Sequence, residues 1–248
     1  MPELIERLEW DSAHWGLPTG RALSVASDVA ELDAIADEAR DRALGLVYLS
    51  VPATDLALAG DAARRPGLTL VDIRLVLSRA TAPEPVSSVV RRASSTDLDA
   101  LQDLAGAAHT NTRFFADARL DRAKAVELYR RWIAQCLDRV DEDVAVAEVD
   151  GHLAGYVTVA VTEMTARIGL LAVDPSARGK GIGEALVRWA VGRAAEHGCE
   201  RIVVGTQGGS PVAQRLYQRC GFTTESVDLL CHWWIDDLST EQVSGPTA

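Results

Sequence analysis

The stretch SARGKGIGEAL, Ser176 to Leu186, places one arginine, one lysine and three glycines at the mouth of an apolar run. Glycine loses more conformational freedom on folding than any other residue, so a cluster of them is retained where side chains would obstruct a backbone or a ligand. Upstream, ARIGLLAV (166–173) reads as a strand, and Asp174-Pro175 stops it. Downstream, IGEALVRWAVGRAAEHG (182–198) puts Ile182, Leu186, Trp189 and Ala190 on one helical stripe, with Gly198 suited to end the helix. Strand, glycine loop and helix therefore meet end to end. The first N–H groups of such a helix lack intrahelical partners, which makes the junction a site for an anion, a phosphate above all. Gly179, Gly181 and Gly183 leave those amides uncovered, and Arg178 and Lys180 add charge beside them. The plainer alternative is a turn with solvated cations, and the spacing argues against it. The run is neither a P-loop, which needs G-K-[ST], nor a dinucleotide fingerprint, which needs a further glycine and a later acidic residue.

The rest of the composition sets limits. A chain of 248 residues, 48% hydrophobic and 25% charged, can bury a sizeable core in one large or two modest domains. Its formal charge of −11 argues against a nucleic-acid partner. Cys136, Cys199, Cys220 and Cys231 form no C-x-x-C pair or Cys/His cluster, so they read as reduced, partly buried thiols and no metal is expected. The opening MPELIERLEWDSAHWG has no secretory pattern, and no apolar run is long enough to span a membrane. A cytoplasmic protein without a membrane partner is the expectation.

Along the chain, SRATAPEPVSS (78–88) has the chemistry of an exposed connector, which puts a domain boundary near Glu84. Residues 1–84 then form a smaller α/β domain. It has strands over LIERLEW (4–10), GLVYLSV (45–51) and LTLVDIRLVLSR (68–79), and a helix over 29–44. Residues 85–238 form a second domain. It opens with a strand over 87–94, a helix from Asp97 capped by Thr96 or Asp97, and a helix over 121–137. DVAVAEVDGHLAGYVTVAVTEM (143–164) carries Asp150-Gly151, a tight-turn pair that predicts an antiparallel hairpin. RIVVGTQ (201–207) reads as a buried strand, SPVAQRLYQRCGF (210–222) as a short helix capped by Ser210, and SVDLLCHWWI (226–235) as the closing strand. Residues 239–248 have the composition of a flexible tail. The fold class expected is α/β with a mixed, α+β-like sheet.

Arg178-Gly-Lys-Gly181-Ile-Gly183 resembles the R/Q-x-x-G-x-G/A motif of the GNAT acetyltransferase superfamily. The preceding LLAVDPSA, the following LYQRCGF and the order of hairpin, strand, loop-helix and strand fit as well, over about residues 86 to 236. The resemblance implies a GNAT acetyltransferase domain, with residues 1–84 as an incomplete copy of the same fold. It implies acyl transfer from acetyl-CoA, whose diphosphate the amides of Gly179, Lys180, Gly181, Ile182 and Gly183 would hold. The main chain of Leu171, Ala172 and Val173 would pair with the pantetheine arm, and an N–H near Ala172 or Val173 would face the developing oxyanion. Tyr217 matches the family's L-Y-x-x-x-G-F segment and would protonate the departing thiolate, since a phenol with a pKa of about 10 holds its proton at neutral pH. Packing with its hydroxyl on a backbone group is the structural alternative. Ser210 stands where the family frequently has the asparagine that contacts CoA.

Glu163 is the candidate general base, although a glutamate at a strand end is more often solvated. His109, with a reference pKa near neutrality, is the other candidate, and an acceptor amine of low pKa would need neither. LEWDSAHWG (8–16) and HTNTRFFADARLDRAKAVELYRRWI (109–133) resemble the dTDP-fucosamine branch of the superfamily. The branch implies acetylation of the primary amine of a nucleotide-linked 4-amino-4,6-dideoxyhexose, and relatives suggest a homodimer. Arg113 and Phe114, with His109, are the candidates for the acceptor pocket, because a guanidinium pairs with phosphate and an aromatic ring packs on a sugar or base. Two other readings stay open: acetylation of an amino acid, polyamine, antibiotic or protein N-terminus, and an acyl-CoA-binding regulator without catalysis.

Overall fold

The computed structural model describes residues 3–235. In chain order they form β1 (Ile5–Arg7), α1 (Glu9–Trp15), β2 (Thr19–Val25), α2 (Val29–Asp41), β3 (Leu46–Pro52), α3 (Leu56–Ala63), β4 (Leu68–Ala80) and β5 (Val90–Arg92). Then follow α4 (Leu98–Ala108), α5 (Arg113–Ala116), α6 (Arg122–Asp138), β6 (Glu142–Val149), β7 (His152–Thr162) and β8 (Thr165–Val173). The chain closes with α7 (Ile182–Glu196), β9 (Arg201–Gln207), α8 (Pro211–Arg219) and β10 (Thr223–Trp234). This is the mixed α/β class that the sequence predicts. The tail expected over 239–248 lies outside the described residues.

The strand expected over LIERLEW is confined to Ile5–Arg7. Glu9–Trp15 is instead a helix, closed by Gly16 in the left-handed region at φ 76°. The sequence reading has no counterpart for β2 and α3; the latter starts where the Asp55 carboxylate accepts the Leu58 amide at 2.9 Å. Helix α4 is entered through a short 3-10 turn, Ser95–Asp97. Its capping box uses Ser94 and Asp97 rather than Thr96.

The chain falls into two compact units that are not consecutive in sequence. The first takes the described residues up to Arg74, Thr112–Lys124 and those from Val227 onward; the second takes Leu75–Asn111 and Ala125–Ser226. In the first unit β1 pairs antiparallel with β2, β2 parallel with β3, and β3 antiparallel with β10. Ile35, Leu32, Val47, Leu49 and Trp233 form the centre of its core, each almost wholly withdrawn from water. Each such side chain contributes about 1.5–3 kcal/mol of burial.

In the second unit β5, β6, β7 and β8 form an antiparallel run, and β9 joins β8 in parallel after the crossover through α7. Asp150 and Gly151 both have positive φ, 53° and 75°, as the hairpin between β6 and β7 requires. Leu186, Val187, Ala190 and Val191 of α7 pack with Val157, Val159, Ile168 and Ile202 of the strands. All four cysteines are free and buried, where the composition suggested only partial burial.

Candidate active site

The active-site candidate in the second unit begins where β8 and β9 stop pairing. Their parallel register runs from Thr165↔Arg201 to Ile168↔Val204 and ends there. Strand β8 nevertheless continues to Val173 and β9 to Gln207, so the two splay apart. On its other side β8 stays paired with β7, through Val157↔Leu171, Tyr156↔Ala172 and Gly155↔Val173. The main-chain groups of β8 beyond Ile168 therefore face an open wedge on one edge, a place where an amide-bearing chain can add to the sheet.

A bulge prepares that edge. Between Val157↔Leu171 and Val159↔Ile168, β8 has one residue more than β7. The extra residue lies at Gly169-Leu170, where the Leu170 amide donates to the Thr158 hydroxyl at 3.0 Å. A Cβ on Gly169 would sit 2.8 Å from that hydroxyl, so the bulge needs glycine. The bulge inverts the side-chain alternation: Ala166 and Ile168 share a core with α7 before it, Leu171 and Val173 after it. The sequence reading missed both Thr158 and Gly169, although an isolated glycine inside a strand pattern is the signal for a bulge.

Beyond Val173 the chain turns through Asp174, whose carboxylate accepts the Ser176 amide at 2.8 Å. It then passes the exposed Arg178, Gly179, Lys180 and Gly181. Gly179 and Gly181 have φ of 77° and 80°, and a Cβ on either would meet nothing within 4 Å. Gly181 is the N-cap of α7 and offers no side-chain acceptor, so the amides of Gly181, Ile182, Gly183 and Glu184 have no partner inside the helix. Gly183 has a different reason to be glycine. A Cβ there would lie 3.1 Å from Leu216 of α8, so its bare Cα lets the two helices approach. An open face of unpaired amides flanked by two cations fits a diphosphate, and therefore fits CoA.

Tyr217 lies in α8 and is 5% exposed, edge-on to Phe222 at 5.6 Å. Burial raises its phenol well above the ordinary tyrosine value, so it carries its proton at neutral pH. Its hydroxyl has no hydrogen-bond partner among the described residues, unlike a tyrosine held on a backbone group. Ser210 occupies the N-cap of α8, but its side chain makes no cap hydrogen bond, contrary to the capping role read from the sequence.

Glu163 is in the turn joining β7 to β8, with φ 49°. The splayed end of the hairpin is ten residues further along, roughly 30 Å at strand rise. The fold does not bring this carboxylate to the wedge. His109 ends α4, stacked on Tyr129 at 4.7 Å and hydrogen-bonded through Nε2 to the Tyr156 hydroxyl at 2.7 Å. Burial depresses its pKa to about 4, so the near-neutral value assumed from its residue type does not apply. Tyr156, its partner, pairs in register with Ala172.

Arg113 and Phe114 belong to the first unit. The Arg113 guanidinium lies over the rings of Tyr48 and Phe114, at 4.6 and 4.7 Å. Phe114 is 4% exposed and packs against Trp15 at 5.7 Å, so its ring is buried. Among the described residues no group of three or more His, Cys, Asp or Glu side chains could hold a metal ion. No helix among them is long and apolar enough to cross a membrane.

Residues 98–222 match the Acetyltransferase (GNAT) family. The chain belongs to the GNAT acetyltransferases. Members of this family use acetyl-CoA, and this GNAT acetyltransferase is accordingly an N-acetyltransferase. It is 29% identical to dTDP-fucosamine acetyltransferase of Escherichia coli O6:H1 over 90% of its own length and 94% of that protein's. It is 27% identical to the spore coat polysaccharide biosynthesis protein SpsD of Bacillus subtilis, over 76% of its own length and 66% of SpsD. Its fold matches a conserved protein of unknown function from Staphylococcus epidermidis with a TM-score of 0.67 at 15% identity, covering 94% and 92% of the two chains. A GCN5-related N-acetyltransferase from Sphaerobacter thermophilus gives 0.60 at 16% identity, covering 93% of this GNAT acetyltransferase and 76% of that chain.

Proposed function

We propose that this GNAT acetyltransferase transfers the acetyl group of acetyl-CoA to the primary amine of a nucleotide-linked amino sugar of the dTDP-4-amino-4,6-dideoxyhexose type. The observation that carries the acceptor class is the 29% identity to dTDP-fucosamine acetyltransferase along 90% of the chain. In this reading residues 1–84 derive from an incomplete copy of the fold, and the protein is a cytoplasmic homodimer.

Bound acetyl-CoA supplies an activated thioester. Arg178, Lys180 and the amides of Gly179 to Gly183 hold its diphosphate, and Ser210 offers a free hydroxyl to it. Leu171, Ala172 and Val173 align the arm by main-chain hydrogen bonds, and an N–H at Ala172 or Val173 faces the charge that develops on the carbonyl oxygen. As the N–C bond forms and the C–S bond breaks, Tyr217 gives its proton to the sulfur and the amine loses one to solvent. Glu163 is given no step, because of its place at the far turn. His109 stays neutral, hydrogen-bonded to Tyr156, and takes no proton from the amine.

The test is thiol release from acetyl-CoA with a panel of dTDP-amino sugars, amino acids and aminoglycosides. The expected result is turnover with a dTDP-4-amino-4,6-dideoxyhexose. Turnover with amino acids and none with any sugar nucleotide overturns the acceptor class.

A further inference from the structure

The second unit leaves one group of cations unmatched. Among the described residues its arginines and lysines outside the glycine turn and α8 each pair with a carboxylate, Arg167 of β8 excepted. Arg178 and Lys180 of the turn and Arg215 and Arg219 of α8 are all exposed, and none of the four has a carboxylate within ion-pair distance. Arg178 also acts on Asp174, whose carboxyl Ser176 already holds below its usual range. The chain carries 36 acidic residues, yet none falls between Arg201 and Thr224. Glu184, at the start of α7, is engaged by Arg188 at 2.9 Å.

Contacts at its middle and at its end place α8 against α7. Leu216 abuts Gly183 in the first turn of α7. Arg79 donates to the Cys220 carbonyl at 2.6 Å and pairs with Glu84 at 3.2 Å, and Glu84 pairs with Arg188, in the second turn of α7, at 3.0 Å. The Cys220 end of α8 is thus tied to the body of α7, and its earlier residues run toward the end of α7 that carries the unpaired amides. Arg215 directly precedes Leu216, so it flanks those amides. Arg219 follows four residues later, on the same side of the helix. The helix dipole favours a cation in the last turn, which accounts for Arg219 without any ligand. Arg215, in mid-helix, has no such reason, and at a spacing of four the two charges repel each other. The fold needs neither charge, yet both stand beside an anion cradle.

We propose that Arg215, aided by Arg219, binds the 3′-phosphate of CoA. The diphosphate takes the amides of the turn together with Arg178 and Lys180. The remaining phosphate of the nucleotide is a monoester with about 1.5–2 negative charges at neutral pH, which two guanidinium groups match in charge and in hydrogen-bond geometry. The inference rests on CoA binding at the glycine turn and deepens it, since it makes the 3′-phosphate a determinant of which form of the cofactor is accepted. Every group involved belongs to the second unit.

The test is calorimetry of the full chain with two probes, CoA and 3′-dephospho-CoA. The wild type should bind CoA about tenfold more tightly than its dephosphorylated form. The double variant Arg215→Gln/Arg219→Gln should bind both probes alike, at the wild-type affinity for 3′-dephospho-CoA. Equal wild-type affinity for the two probes overturns the inference and leaves CoA binding standing. So does a double variant that keeps the wild-type preference, or one that loses affinity for both probes by the same factor, which assigns the guanidinium groups to the diphosphate instead. Binding of neither probe to the wild type overturns the CoA reading and this inference with it. Should the double variant not fold, Arg215→Gln and Arg219→Gln are titrated singly with the same probes, and a preference unchanged in both overturns the inference.

Discussion

Tyr217 combines two properties rarely found together: a ring in the core and a hydroxyl with no partner among the described residues. Replacing it by Phe removes a proton donor and almost no packing. If the phenol protonates the thiolate, Tyr217→Phe lowers kcat by about 10²–10⁴-fold and leaves the calorimetric Kd for CoA unchanged. An unchanged kcat removes the role. Residues such as Arg178, Gly179, Lys180 and Gly181 were legible because their neighbours in sequence are also their neighbours in space. The hydrogen bond between His232 and Asp117 was not, because the two lie 115 positions apart. His109 could be read only by type, and burial, which no local pattern reveals, determines its proton affinity.

At the scale of elements, the tight-turn pair Asp150-Gly151 and the helical stripe of α7 made the hairpin and the crossover readable. The bulge was not, since its second component, Thr158, belongs to the neighbouring strand. Nor was the place of Glu163: alternation predicts a strand but does not say which end of it faces the cofactor. Gly155 shows how tightly the β7–β8 pair is set, for a Cβ there would lie 2.7 Å from the Ala172 carbonyl oxygen. Because backbone cannot rotate aside, Gly155→Ala must push the strands apart. The expected outcome is a loss of about 1–3 kcal/mol in urea unfolding, together with weaker CoA binding, as Ala172 moves. Full retention of both would show that the pair relaxes freely.

For the whole molecule, acid is the revealing perturbation. His109 has a folded pKa of about 4, against about 6.5 for an unfolded histidine. Between those values the unfolded chain binds a proton that the folded chain refuses, so stability falls as pH drops through this window, by on the order of 3 kcal/mol. His232, also lowered by burial, adds to the loss. Asp97 is held below the usual carboxylate range by Arg91, and Asp143 likewise, against its burial, by Arg193 and His197. Their contribution is present above an unfolded pKa of about 3.9 and is lost only at still lower pH. Urea unfolding at about pH 7 and about pH 4.5 checks this: the wild type should be weaker in acid, and His109→Asn should lose less. Equal stability at the two pH values would contradict the buried, neutral imidazole. The interleaving of the chain has a further consequence. Because the polypeptide re-enters the first unit at Thr112 and again at Val227, a fragment beginning after residue 84 would carry β10 without β3, its antiparallel mate. No single cut in the gene would deliver either unit whole.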